Sequence, residues 1–148
     1  MAGRETQAPA GPERPGGGRP TPLDQPFGPD DLYALRAAVA AHGGRLGLSP
    51  DRINHLVIVA SELATNAVRH GGGRGRLRLW PADGGVWCEV SDAGPGVPDP
   101  DTVGTTHPPA LSVGGRGLFL VRRLSTLVTI DSDGHGTTVT AQVPATAA

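Results

Sequence analysis

Glu62 and Asn66 stand four residues apart in a stretch of helical periodicity, which at 100° per residue sets them about 40° from one another on one polar face. A carboxylate beside an amide suits cation and water chemistry. The amide oxygen can ligate a hard ion such as Mg²⁺, and the carboxylate can orient or deprotonate a nucleophile. Further on, Ser91-Asp92-Ala93-Gly94-Pro95-Gly96 puts an acid at the end of a strand-like run, followed by glycines two apart. An Asp held there could accept a hydrogen bond from an exocyclic amine, while Gly94 and Gly96 permit close approach of a ligand. Gly114-Gly115-Arg116-Gly117-Leu118 runs into a short helical stretch. Unpaired backbone N–H groups at such a helix start, with the Arg116 guanidinium beside them, favour phosphate. Gly136-Thr137-Thr138 opens a last strand, where a hydroxyl could complete the contact to a base. Taken singly, each cluster also has a plainer reading: a solvated helix face, a capped turn, a β-branched strand residue.

These residues need elements to position them. Ser49-Pro50-Asp51 is a helix start, with Ser as N-cap, Pro at the first helical position and an acid in the first turn. Ile53, Leu56, Val57, Ala60, Leu63, Ala64 and Ala67 then form one apolar stripe, and Gly71-Gly72-Gly73 stops the helix. Ile58 and Val59 are expected to flank the polar face that carries Glu62 and Asn66. Before it, Leu32, Leu35, Ala38 and Val39 predict a short amphipathic helix ending at Gly43-Gly44. Strand-like runs at 76–80 and 86–91 are joined by a turn cluster at 81–85, and runs at 127–131 and 137–143 repeat the arrangement around 133–136. A short helix at 117–124 lies between the two hairpins. The Pro-rich stretch 95–114 holds few core-type residues and reads as a mobile lid. The order predicts an α+β fold, a two-layer sandwich with an antiparallel or mixed sheet and helices on one face.

Composition narrows the chemistry. Of 148 residues, 23 are Gly and 15 are Pro, about a quarter of the chain against a usual share near 12%. The excess is concentrated in residues 1–22, which read as a disordered tail before a single domain at 23–148. All thirteen basic residues are Arg. The absence of Lys excludes a Walker A loop, a Lys-dependent protein kinase of the usual kind and Schiff-base catalysis. The single cysteine, Cys88, excludes an internal disulfide and a paired-Cys zinc site and suits a cytoplasmic protein. A net charge of −1 argues against direct nucleic-acid or anionic-membrane binding, and no apolar run reaches the ~20 residues of a membrane span.

The ordered set of Glu-x-x-x-Asn on a helix, Asp-x-Gly-x-Gly after a strand, Gly-x-Gly before a helix and Gly-Thr at a strand start resembles the four nucleotide-binding boxes of the GHKL ATPase superfamily. Glu62-Leu63-Ala64-Thr65-Asn66-Ala67-Val68-Arg69-His70, Asp92-Ala93-Gly94-Pro95-Gly96 and Gly115-Arg116-Gly117-Leu118-Phe119-Leu120-Val121 are similar to the bacterial branch of anti-sigma-factor serine/threonine kinases, whose ATP-binding domain has the Bergerat fold. The similarity runs over roughly residues 32–144. It implies that Asn66 ligates Mg²⁺ bridging the ATP phosphates and that Glu62 is the base or water-positioning carboxylate. Asp92 would accept from the adenine amino group, with Gly94 and Gly96 making room and Thr137 assisting. Gly115 and Gly117 would let the lid and short helix close on the phosphates, and Arg116 would contact phosphate.

The partners implied are a sigma factor and an antagonist (anti-anti-sigma) protein carrying the phospho-acceptor hydroxyl, and a homodimer is left open. A sensor histidine kinase would carry a phospho-acceptor helix before this domain, where a Gly/Pro tail stands here, so a stand-alone regulator is expected. An ATP-responsive binding module without phosphotransfer is the alternative. The branch opens with a strand, for which the segment 23–27, with Asp24 and Pro26, is poorly suited.

Overall fold

The computed structural model describes residues 22–94 and 116–146, with Arg116 described by its backbone alone. Strand β1 (Leu23–Phe27) leads through a 3₁₀ turn (Pro29–Asp31) into α1 (Leu32–Arg45) and α2 (Pro50–His70). A hairpin follows, β2 (Gly75–Ala82) and β3 (Gly85–Asp92), then α3 (Arg116–Leu124) and a second hairpin, β4 (Leu127–Asp133) and β5 (Gly136–Pro144). The five strands form one sheet in the order β1-β2-β3-β5-β4. Every pairing is antiparallel. The architecture is therefore the expected α+β sandwich, with the sheet wholly antiparallel among the described residues.

Both hairpins turn in two residues. Asp83-Gly84 joins β2 to β3, with Gly84 at φ 74, as tight hairpins require. Gly134-His135 joins β4 to β5, where the His135 N–H donates to Asp133 Oδ1 at 2.7 Å.

Strand β1 departs from the expectation for 23–27. Phe27 is buried and Leu23 packs on the core. On the opposite side, Asp24 takes two hydrogen bonds from Arg76, at 2.6 and 3.0 Å. Proline is tolerated because β1 is an edge strand, where a missing N–H costs nothing if that side has no neighbour. Gly75, directly across from Phe27, leaves room for the ring: a Cβ there would lie 2.6 Å from Phe27 Cζ.

Helix α1 also differs, continuing through Gly43 and Gly44 to Arg45. The stop is Gly47, at φ 85. Leu48 N–H reaches Gly43 O at 3.2 Å and Gly47 N–H reaches Gly44 O at 3.1 Å, the paired bonds of a Schellman motif. Gly43 is instead a packing residue, because a Cβ there would come within 3.3 Å of Leu56 on α2.

Helix α2 begins as its sequence predicts, with Ser49 Oγ accepting from the Arg52 N–H at 3.4 Å. Its buried stripe is Leu56, Val59, Ala60, Leu63, Ala64 and Ala67. Val59, expected beside the polar face, belongs to this stripe, lying three residues after Leu56. Ile58 does sit at the edge, 39% exposed. The stripe packs on Leu77, Leu79, Val86, Cys88, Val90, Val139, Ala141 and Val143, the alternate residues of the central strands. The intervening residues form the other sheet face, where Thr140 Oγ1 donates to buried Glu89 at 3.4 Å.

Candidate nucleotide site

Two connections aim the helices at one end of the sheet. The segment 71–74 takes the chain from α2 into β2, whose first residue pairs with the last of β3 (Gly75 with Asp92). The C-terminus of α2 therefore lies at the Asp92 end. Helix α3 leads into β4, which starts at the far end, so α3 runs antiparallel to α2 and brings its own N-terminus back toward the site.

Glu62 and Asn66 occupy adjacent turns of α2, both half-buried. They lie outside the stripe that faces the sheet and meet α3 instead. A Cβ on Gly117 would fall 2.6 Å from Glu62 Oε1 and 3.6 Å from Asn66 Nδ2. Gly117 is the point where the two helices close. Leu118 and Val121, both buried, fasten α3 to the core from its other side.

Asp92 forms the second group. In the sheet it lies between Gly75 on β2 and Thr137 on β5. Strand alternation turns Asp92 and Thr137 to the helix-covered face, with Val90 and Val139. Asp92 Oδ1 accepts from the Gly94 N–H at 2.9 Å. Thr137 is buried, and its Oγ1 lies 2.9 Å from Ser132 Oγ, across from it on β4. A Cβ on Gly71 would overlap the Asp92 carboxyl, and one on Gly94 would overlap Gly71 Cα. The end of α2 is thus pressed onto the acid. Between Glu62 and Gly71 lie nine residues of helical rise, about 13 Å. That matches the reach of an extended nucleoside triphosphate from base to terminal phosphate.

The structure brings Glu62, Asn66 and Gly117 into one group and Asp92, Gly94 and Thr137 into another, joined by α2. Gly96, Gly115, the Arg116 side chain and the expected lid at 95–114 lie outside the described residues. Three residues to which sequence reasoning gave no role of their own in the site also shape it: Gly71, Gly136 and Ser132. Gly71 reads in sequence only as a helix stop, and its approach to Asp92, 21 positions later, leaves no local signal. Cys88 is no candidate nucleophile, since burial first and the Glu89 charge second push its thiol up to about 12. Among the described residues no group of three or more His, Cys, Asp or Glu could hold a metal ion by itself. No described helix is long and apolar enough to cross a membrane.

Solved structures share this fold. The RsbU and RsbW domains of a Mycobacterium tuberculosis protein align with a TM-score of 0.62 at 22% identity, over 84% of this chain and 32% of that one. The histidine kinase domain of a blue-light-activated histidine kinase from Erythrobacter litoralis aligns with a TM-score of 0.54 at 22% identity, over 77% of this chain and 63% of that one. The SiaB-SiaC complex of Pseudomonas aeruginosa gives 0.60 at 10% identity, over 83% and 89%. The chain thus spans about a third of the first and under two thirds of the second. At these identities the likeness is one of fold. No curated protein matches the sequence significantly. Residues 26–143 match the family described as the histidine kinase-like ATPase domain. That span takes in both residue groups and the strand ends that carry Asp92 and Thr137, and the chain is a member of the histidine kinase-like ATPase domain family.

Proposed function

We propose that the chain is an anti-sigma factor that binds ATP with Mg²⁺ along α2 and transfers the terminal phosphoryl group to a Ser or Thr hydroxyl of an antagonist protein. One observation carries the reading. A carboxylate and an amide on adjacent turns of α2 meet the first turn of α3, and a strand-end acid lies about 13 Å further along the same helix.

The donor set fits Mg²⁺ that arrives with a nucleotide. Asn66 offers one amide oxygen, and no protein cage surrounds it among the described residues. A cation held there would need phosphate oxygens and water to complete its shell, which is how Mg²⁺ is usually held. Bound there, it would neutralise charge on the phosphates. Asp92 Oδ2 would accept from the adenine amino group, its companion oxygen being held by Gly94. Glu62 would take the proton of the incoming hydroxyl as the new O–P bond forms and ADP leaves. Phosphoryl transfer asks mainly for positioning and charge stabilisation, so a chain without Lys can carry it. The fold likeness to an RsbW domain, and to SiaB in complex with SiaC, supports a protein as second ligand.

Radiolabelled ATP and the cognate antagonist test the reading. Label should pass to the antagonist, and Glu62→Gln should keep ADP affinity within a few fold while transfer falls roughly 10²–10⁴-fold. A wild-type chain that binds ATP and its partner yet transfers nothing would be an ATP-responsive binding module instead. A fully active Glu62→Gln would remove the base assignment.

A further inference from the structure

Gly71 caps α2 at φ −109 and ψ 28, a conformation open to any residue. The turn that follows is made by Gly72 and Gly73, at φ 89 and 88. Backbone geometry therefore gives no reason for glycine at 71, and the reason is space. The position of its missing Cβ is taken by the Asp92 carboxyl, with Cγ and Oδ2 the nearest atoms, and the Ala67 main-chain oxygen closes it from the helix side at 2.7 Å. Gly136 repeats the pattern from the neighbouring strand. It has no positive φ, and a Cβ there would overlap the main-chain oxygen of Asp92.

The acid is thereby confined on three sides. Gly71 bounds the carboxyl and Gly136 bounds the main chain, while the Gly94 N–H holds Oδ1 at 2.9 Å. The oxygen a methyl at 71 would displace is Oδ2, the one Gly94 leaves free. We infer that Gly71 and Gly136 are positioning residues that seat Asp92 for recognising an amino group on a purine, so that base selectivity depends on two absent methyl groups. The inference rests on the adenine role proposed for Asp92 above. A carboxylate fixed beforehand meets an amine donor without losing rotamer freedom. It also confronts a base lacking the amine with an acceptor left unsatisfied beneath it, which is how such sites discriminate.

The test compares ATP with purine riboside triphosphate, which differs only by the missing amino group, by calorimetry on the full chain. Wild type should prefer ATP by roughly tenfold or more. In Gly71→Ala and in Gly136→Ala that preference should collapse to within about threefold, with affinity for the amine-free nucleotide little changed. Gly72→Ala is the control. Its strained φ should lower the melting temperature, but with its nearest neighbour 3.9 Å away at Gly94 it should keep the preference. Equal losses for both nucleotides, or an undiminished ratio in Gly71→Ala, would overturn the seating role. Should Gly71→Ala not fold, Gly136→Ala decides by the same ratio. Failure of both to fold would assign the glycines to stability and overturn the inference. A wild type that binds the two nucleotides alike would remove the adenine role of Asp92 itself, and the seating role with it.

Discussion

Gly117 of α3 touches Glu62 of α2 at the carboxylate itself: a Cβ at 117 would lie 2.6 Å from Oε1 and 3.5 Å from the Glu62 Cβ. The contact couples the first turn of one helix to the orientation of an acid on the other. Alanine at this position should therefore separate stability from activity. Gly→Ala in a helix gains up to about 1 kcal/mol, and the free end of a Glu side chain can rotate away from the methyl. Gly117→Ala should melt at or slightly above the wild-type temperature while phosphoryl transfer falls about tenfold or more, the cost of a misdirected base. Calorimetric melting beside radiolabel transfer reads both. Wild-type transfer in a stable variant would mean that Glu62 needs no fixed direction.

Removing the acceptor at the other end should cost binding. Asp92 lies between Gly75 and Thr137 on the helix-covered face of the sheet. An adenine amine enclosed there with no acceptor would lose about 1–3 kcal/mol. Asp92→Ala should weaken ADP binding at least roughly tenfold. Unchanged ADP binding by calorimetry would place the base elsewhere.

Metal dependence should run through Asn66. Its amide is the group one turn from Glu62 on the same face of α2, and Gly117 leaves the space beside it open. Asn66→Ala should abolish the gain in ATP affinity that Mg²⁺ gives the wild type, while affinity measured in excess chelator stays within a few fold. If Mg²⁺ raises affinity equally in both proteins, the cation is held by other groups.

Most of this geometry is legible in sequence because it is local. Helical spacing alone puts Glu62 and Asn66 on one face, and strand alternation puts Asp92 and Thr137 on one side of the sheet. What is not legible depends on contacts between distant segments. Gly43 resembles a helix stop until Leu56 is seen against it, and the true stop at Gly47 is identified by its positive φ. The segment 23–27 has a strand-breaking proline, and only its place at the sheet edge, beside Arg76 and Gly75, makes it a strand. Val59 is ambiguous on a helical wheel between stripe and flank, and the sheet below α2 decides. The roles assigned to Gly96, Gly115 and the Arg116 side chain, and the lid at 95–114, fall outside what the structure describes.

His42 gives the last prediction. It lies in α1, 6% exposed, with Nδ1 3.3 Å from Arg45 Nη2. A guanidinium only donates, so Nδ1 accepts and the proton of the neutral ring sits on Nε2, which is buried without a partner. Burial first, and the Arg45 charge second, hold this imidazole below its ordinary value of 6.5. The sign follows from linkage. Well above pH 6.5 the ring is neutral in both the folded and the unfolded chain, and its protonation contributes nothing to stability. As pH falls through 6.5 the unfolded chain takes up a proton that the folded one resists, so stability declines, with a limiting slope of about 1.4 kcal/mol per pH unit from this one group. Leucine at 42 removes both the titration and the orphan donor. His42→Leu should therefore be about 1 kcal/mol more stable than wild type near neutral pH. Its advantage should widen toward pH 5, as read from urea midpoints across that range. The two proteins differ at this residue alone, so the difference between the two curves isolates His42. Parallel curves for wild type and variant would show that this ring carries none of the acid sensitivity.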